Sequence, residues 1–166
     1  MPLKLPEYEF RDPDLLETAL THRSSGSRNN ERLEFLGDAI LGFLITEILY
    51  QAYPEQPEGV LTRLRANLVK RETLAQLARQ LDLGNFIRLG PGEKKSGGWR
   101  RDSILANTLE SLIGAIYLDS GMEASSEFIR SVYSKSLQDL DIDNPGKDSK
   151  TVLQELLQAK KLPLPV

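Results

Sequence analysis

The sequence predicts an all-α domain. Apolar residues recur three and four positions apart along most of the chain. Pro, Gly and Asn/Asp clusters cut that pattern into helix-length pieces, and strand-like alternation is nearly absent, with 86–89 its best and weak instance. The chain has 166 residues, 40% hydrophobic and 27% charged, enough to bury a core without covalent staples.

The elements follow in order. Asp12 reads as an N-cap before Pro13 at the first helical position, and Leu15, Leu16, Ala19 and Leu20 give a short amphipathic helix. Residues 24–30 are a polar loop. A long helix over 31–52 ends at Tyr53-Pro54, and a connector leads to a helix over 60–81 whose core face is Leu61, Leu64, Leu68, Leu74, Leu77 and Leu81. Gly84 closes it. A glycine-rich basic loop occupies 90–98. Asp102 caps a helix reaching about 118, and another spans 122–140. Residues 141–150 have linker composition, and a last helix covers 150–159.

Composition removes several chemistries. There is no cysteine, so disulfides, thiol nucleophiles and thiolate zinc sites are excluded. A single histidine, His22, excludes a histidine-rich metal site and reads as a structural group near a helix end. A bound metal therefore takes oxygen ligands, which points to magnesium or manganese. No apolar run is long enough to cross a bilayer and no secretory signal opens the chain, so no membrane partner and a cytoplasmic location are expected. The net charge of −3 argues against nucleic acid if taken alone. Its distribution softens that objection: residues 145–166 carry +2, leaving −5 on 1–144, where carboxylates can surround cations.

The informative segment lies in the long helix. Glu31, Glu34, Asp38, Leu41, Ile45 and Ile48 form one stripe, acidic in its first half and apolar in its second. Like charges at this spacing repel, and partial burial multiplies the cost unless a cation or protons compensate. Gly37, mid-helix, costs about 1 kcal/mol relative to alanine, which suggests a close backbone approach. In the 102–118 helix, Asn107 and Glu110 share a face among apolar residues, and Gly114 permits close packing. Two helices each offering two oxygen donors can build a hard-cation site. The spacing equally allows Glu34 and Glu110 to be structural partners of Arg32, Arg63 or Arg65.

Residues 31–41, ERLEFLGDAIL, match the signature of the ribonuclease III family almost residue for residue. Residues 20–24 (LTHRS), 90–98 (GPGEKKSGG) and 104–115 (ILANTLESLIGA) resemble further family segments in the right order, and 150–155 (KTVLQE) resembles the opening helix of a double-stranded RNA-binding domain. The chain thus resembles the short bacterial form of the family over essentially its whole length. The resemblance implies a homodimeric, all-helical endonuclease domain over 1–144, followed over 145–166 by a linker and the first helix of an incomplete, truncated RNA-binding domain. It implies magnesium-dependent cleavage of double-stranded RNA, in ribosomal and messenger RNA precursor processing, to 5′-phosphate products with short 3′ overhangs. Manganese is the expected substitute, and no nucleotide cofactor is expected.

Position by position, the resemblance makes Asp38 and Glu110 catalytic and Glu34, Asp38, Asn107 and Glu110 the metal set. Glu31 matches an acidic position nearer the dimer and RNA surface, Glu58 another near the active-site valley, and Phe35 an aromatic packing across the dimer interface. Asn107 departs from the pattern, since bacterial relatives carry Asp there. An amide oxygen still ligates magnesium but brings one charge fewer, so weaker metal affinity is expected. The alternative reading is a catalytically weak double-stranded RNA-binding and dimerisation module. In the basic stretch Lys94, Lys95, Arg100 and Arg101 are candidate phosphate contacts, with a solvated loop around the lone Trp99 as the competing view.

Overall fold

The computed structural model describes residues 3, 5, 6 and 8–143. The linker and last helix expected beyond 144 lie outside the described residues. Among the described residues there is no strand, only two isolated bridges, Leu5 with Tyr8 and Thr21 with Arg88. The weak strand signal at 86–89 is thus one parallel contact, fixed by His22 N–H to Arg88 O at 3.0 Å and Arg88 N–H to Leu20 O at 2.8 Å.

Seven α-helices run in chain order among the described residues: α1 Pro13–Ala19, α2 Glu31–Ala52, α3 Glu58–Val69, α4 Arg71–Gln80, α5 Pro91–Lys95, α6 Asp102–Val132 and α7 Ser134–Gln138. The Asp12 side chain caps α1 by accepting from Asp14 N–H, as the Asp-Pro signal predicts. The core is built around α2 and α6, with α4, α3 and α1 packed against them. Leu41, Ile45 and Ile48, the apolar half of the α2 stripe, are buried there with Leu109, Leu112, Ile113 and Ile116 of α6.

Four expectations about the helices change. The single helix over 60–81 is two, because Lys70 turns extended (ψ 152°) between α3 and α4. The turn lets Leu64 and Leu68 face the core from one direction and Leu74 and Leu77 from another. It frees the carbonyl of Leu68, which accepts the buried Tyr133 hydroxyl at 3.1 Å. Second, α4 closes at Asp82, which takes the left-handed conformation at φ 56°, and not at Gly84. Gly84 instead admits the Trp99 carbonyl, which a Cβ would meet at 2.7 Å. Third, Arg101 is the N-cap of α6; Asp102 is its first residue and pairs with Arg79. Fourth, the 102–118 and 122–140 helices join at Gly121, whose φ of 85° makes the kink in α6, and the second stops at Val132 before short α7.

Candidate active site

The site begins with two glycines. α2 and α6 cross so closely that a Cβ on Gly37 would stand 1.7 Å from the Glu110 carbonyl oxygen, and one on Gly114 2.3 Å from that of Leu33. Only hydrogen fits at either position, so the conformational cost of mid-helix glycine is exchanged for backbone contact. Glu34 and Asp38 flank Gly37 on α2, and Asn107 and Glu110 precede Gly114 on α6. The crossing therefore brings the four oxygen-bearing side chains to one cavity of about 500 Å³, which Glu31, Phe35 and Ile104 also line.

The carboxylates are not equivalent. Asp38 is exposed at the mouth, Glu34 is half-buried, and Glu110 lies deeper in the wall. Burial, with the charges of Asp38 and Glu34, pushes the Glu110 carboxyl up from 4.5 to about 7. Burial and the Glu31 charge raise Glu34 as well, opposed by a hydrogen bond to the Asn107 side chain and by the charge of Arg23. No ion pair to Glu34 or Glu110 forms among the described residues; Arg65, one of the partners the spacing allowed, donates to Thr46 Oγ1 at 3.0 Å. The site holds excess negative charge that protons or a cation can relieve.

The donor set is three carboxylates and one amide oxygen, which suits a hard divalent cation. Among the described residues no three carboxylates already stand at coordination distance. Glu34 is held by Asn107, and Asp38 stands exposed.

The other expected residues divide. Glu31 lines the cavity and pairs with Arg23 at 3.4 Å. Phe35 lines it too, but its ring is 82% exposed. Phe43 and Tyr50 are exposed further along the same face of α2. Glu58 is elsewhere: it accepts from Thr62 Oγ1 at 2.6 Å and lines a second cavity, of about 370 Å³, with Leu49, Tyr50 and Leu61. Lys94 and Lys95 are exposed on α5, Arg100 lies over the Trp99 ring at 4.4 Å, and Arg101 is bonded to Glu93. None of these four lines the acidic cavity.

Five cavity residues were absent from the sequence-based set: His22, Arg23, Asn30, Ser103 and Ile104. His22 is structural in the expected sense, since Nδ1 accepts from Ser24 N–H at 3.2 Å and caps a 3-10 turn over Arg23–Ser25. Burial holds its imidazole below the ordinary 6.5. Asn30, 2% exposed, ties three elements together: its amide donates to Ala19 O at 3.4 Å, and its carbonyl accepts Glu34 N–H at 2.8 Å and Ser111 Oγ at 3.5 Å. Its place immediately before the acidic helix was the available signal.

The Ribonuclease-III-like family profile matches residues 12–137. The chain is 56% identical over 158 residues to Ribonuclease 3 of Hahella chejuensis, covering 95% of this chain and 70% of that one. It is 57% identical over 158 residues to Ribonuclease 3 of Pseudomonas syringae pv. syringae, covering 95% and 69%. Its fold is similar to the nuclease domain of ribonuclease III from Campylobacter jejuni, a domain with structural flexibility in a region involved in dimer formation (TM-score 0.77, 43% identity, 79% of this chain and 92% of that one). It is also similar to Dicer from Pichia stipitis (TM-score 0.65, 27% identity, 94% of this chain and 71% of that one). No described helix is long and apolar enough to cross a membrane.

Proposed function

Because the chain belongs to the ribonuclease III family and is an endoribonuclease, we propose that it hydrolyses double-stranded RNA as a magnesium-dependent homodimer, with manganese as a substitute. On this reading its products carry 5′-phosphates and short 3′ overhangs, and its substrates are ribosomal and messenger RNA precursors. The observation that carries the reading is the glycine crossing of α2 and α6, which gathers three carboxylates and an amide around one cavity, with no ion pair to Glu34 or Glu110 among the described residues.

A divalent cation bound there supplies Lewis acidity and offsets charge on the phosphate. Glu34, Asp38, Asn107 and Glu110 would hold it. Asp38, at the mouth, meets the incoming strand. Glu110 lies deeper, and in the metal-free site burial with the charges of Asp38 and Glu34 holds its carboxyl up to about 7, so near neutral pH a proton competes with the cation for it. Asn107 offers a neutral oxygen while its side chain steadies Glu34.

The aromatic face of α2 supports the homodimer. Phe35 and Tyr50 stand 15 residues apart, about 22 Å along a helix. Two copies related by a two-fold axis, with antiparallel α2 helices, would bury both aromatics of each at once. The second cavity, with Glu58 on its wall, opens beside Tyr50 and so borders that face.

The test is cleavage of a labelled RNA duplex at low salt, with magnesium and with chelator, beside Glu110→Ala. Double-strand cuts that need magnesium and vanish in the variant are expected. Binding without cleavage by the unaltered chain would favour the second reading, an RNA-binding module, for which Asn107 in the cavity is the specific observation.

A further inference from the structure

A phosphodiester entering the cavity brings negative charge to a wall already made of carboxylates. Among the described residues lining that cavity, His22 and Arg23 alone have basic side chains. His22 uses Nδ1 as an acceptor, and burial disfavours its charged form. Arg23 is therefore the cation of the site's own wall, and its charge is felt at Glu34.

The backbone under Arg23 is fixed and its side chain is not. Ser25 N–H donates to His22 O at 2.8 Å, and Gly90 N–H donates to Ser24 Oγ at 2.9 Å. A Cβ on Gly90 would stand 2.1 Å from the Ser24 carbonyl oxygen, so the turn is seated against the residues leading into α5. Among the described residues the guanidinium itself reaches only Glu31, by one contact at 3.4 Å, and the two side chains are 70% and 53% exposed. A single-contact pair in solvent is weak and exchanges partners at little cost. A guanidinium matches two phosphate oxygens better than one carboxylate oxygen at that distance.

We infer that Arg23 is a phosphate-binding residue: it leaves Glu31 when RNA arrives and binds the non-bridging oxygens of a backbone phosphate beside the acidic cluster. Glu31 competes for the same guanidinium and so tempers RNA affinity. The inference rests on the double-stranded RNA reading above.

The experiment measures duplex RNA binding by the full chain across a salt series, with single-turnover cleavage in parallel, for the unaltered protein, Arg23→Ala, Arg23→Lys and Glu31→Gln. Arg23→Ala should weaken binding about tenfold and make the slope of log affinity against log salt shallower by about one phosphate contact. Its cleavage at limiting RNA should fall in step with the lost binding, and Arg23→Lys should recover part of both. Glu31→Gln should bind as tightly as the unaltered chain or more tightly. If the pair merely braces the loop, Arg23→Ala and Glu31→Gln weaken binding alike and leave the salt slope unchanged, and the inference is overturned. An unaltered chain that neither binds nor cuts duplex RNA would instead overturn the functional reading itself.

Discussion

Glu110→Gln exchanges a largely buried carboxyl for a neutral group of nearly the same shape, and so separates what the fold wants from what the site needs. In the metal-free protein the Glu110 carboxyl is pushed up from 4.5 to about 7 by burial and by Asp38 and Glu34. The fold thus binds this proton more tightly than the unfolded chain does. Stability from Glu110 is fully present below pH 4.5 and is lost as pH rises to about 7, beyond which the loss is constant. At about 1.4 kcal/mol per pH unit the gap is worth about 3 kcal/mol, discounted to about 2 because part of the side chain faces solvent. Glutamine has no such dependence. With chelator present, the variant should match the parent at pH 4.5 and exceed it by about 2 kcal/mol at pH 8, roughly 4–8 °C in melting temperature for a domain of this size. Added magnesium should shift the balance back, stabilising the parent more than the variant, whose amide oxygen ligates with one charge fewer. The assay is thermal or urea unfolding by circular dichroism at pH 4.5, 6 and 8, with and without magnesium. Parallel pH profiles for the two proteins would refute the argument, because the strain would then not reside on Glu110.

Further outcomes follow from the same geometry. Asn107→Asp adds a fourth carboxylate: magnesium affinity by calorimetry should rise about tenfold or more, while the metal-free protein at pH 8 loses roughly 1 kcal/mol to added repulsion. Gly37→Ala forces a methyl against the Glu110 carbonyl; about 3 kcal/mol of stability, read by urea unfolding, and cleavage should be lost together. Phe35→Asp should yield monomers by light scattering with an unchanged circular dichroism spectrum, since the ring is 82% exposed in the protomer. Tyr133→Phe should cost roughly 1–2 kcal/mol by leaving the Leu68 carbonyl without its buried donor.

What the sequence determined by itself was local and periodic. The Asp-Pro cap, the span of α2, the burial of Leu41, Ile45 and Ile48, and the close approach at Gly37 and Gly114 all rest on spacing and backbone freedom, which a chain carries before it folds. Spacing also put Glu34 with Asp38 on one face of α2 and Asn107 with Glu110 on one face of α6, but it equally allowed structural ion pairs, and only the resemblance singled the four out as a metal set. What only the tertiary structure decided was where the chain bends and what meets across it. No Gly or Pro marks Lys70, yet the helix breaks there, because Leu64 and Leu68 reach the core from one direction and Leu74 and Leu77 from another, with Tyr133, over sixty residues on, taking the freed carbonyl. Glu58, which the resemblance sets near the active-site valley, lines a second cavity beside Tyr50, and sequence spacing cannot say which end of α2 the α3 start returns to. Arg23 and Asn30 enter the site for the converse reason: they sit in irregular backbone, whose direction is set by long-range bonds to α1, α6 and Gly90, not by any period in the sequence.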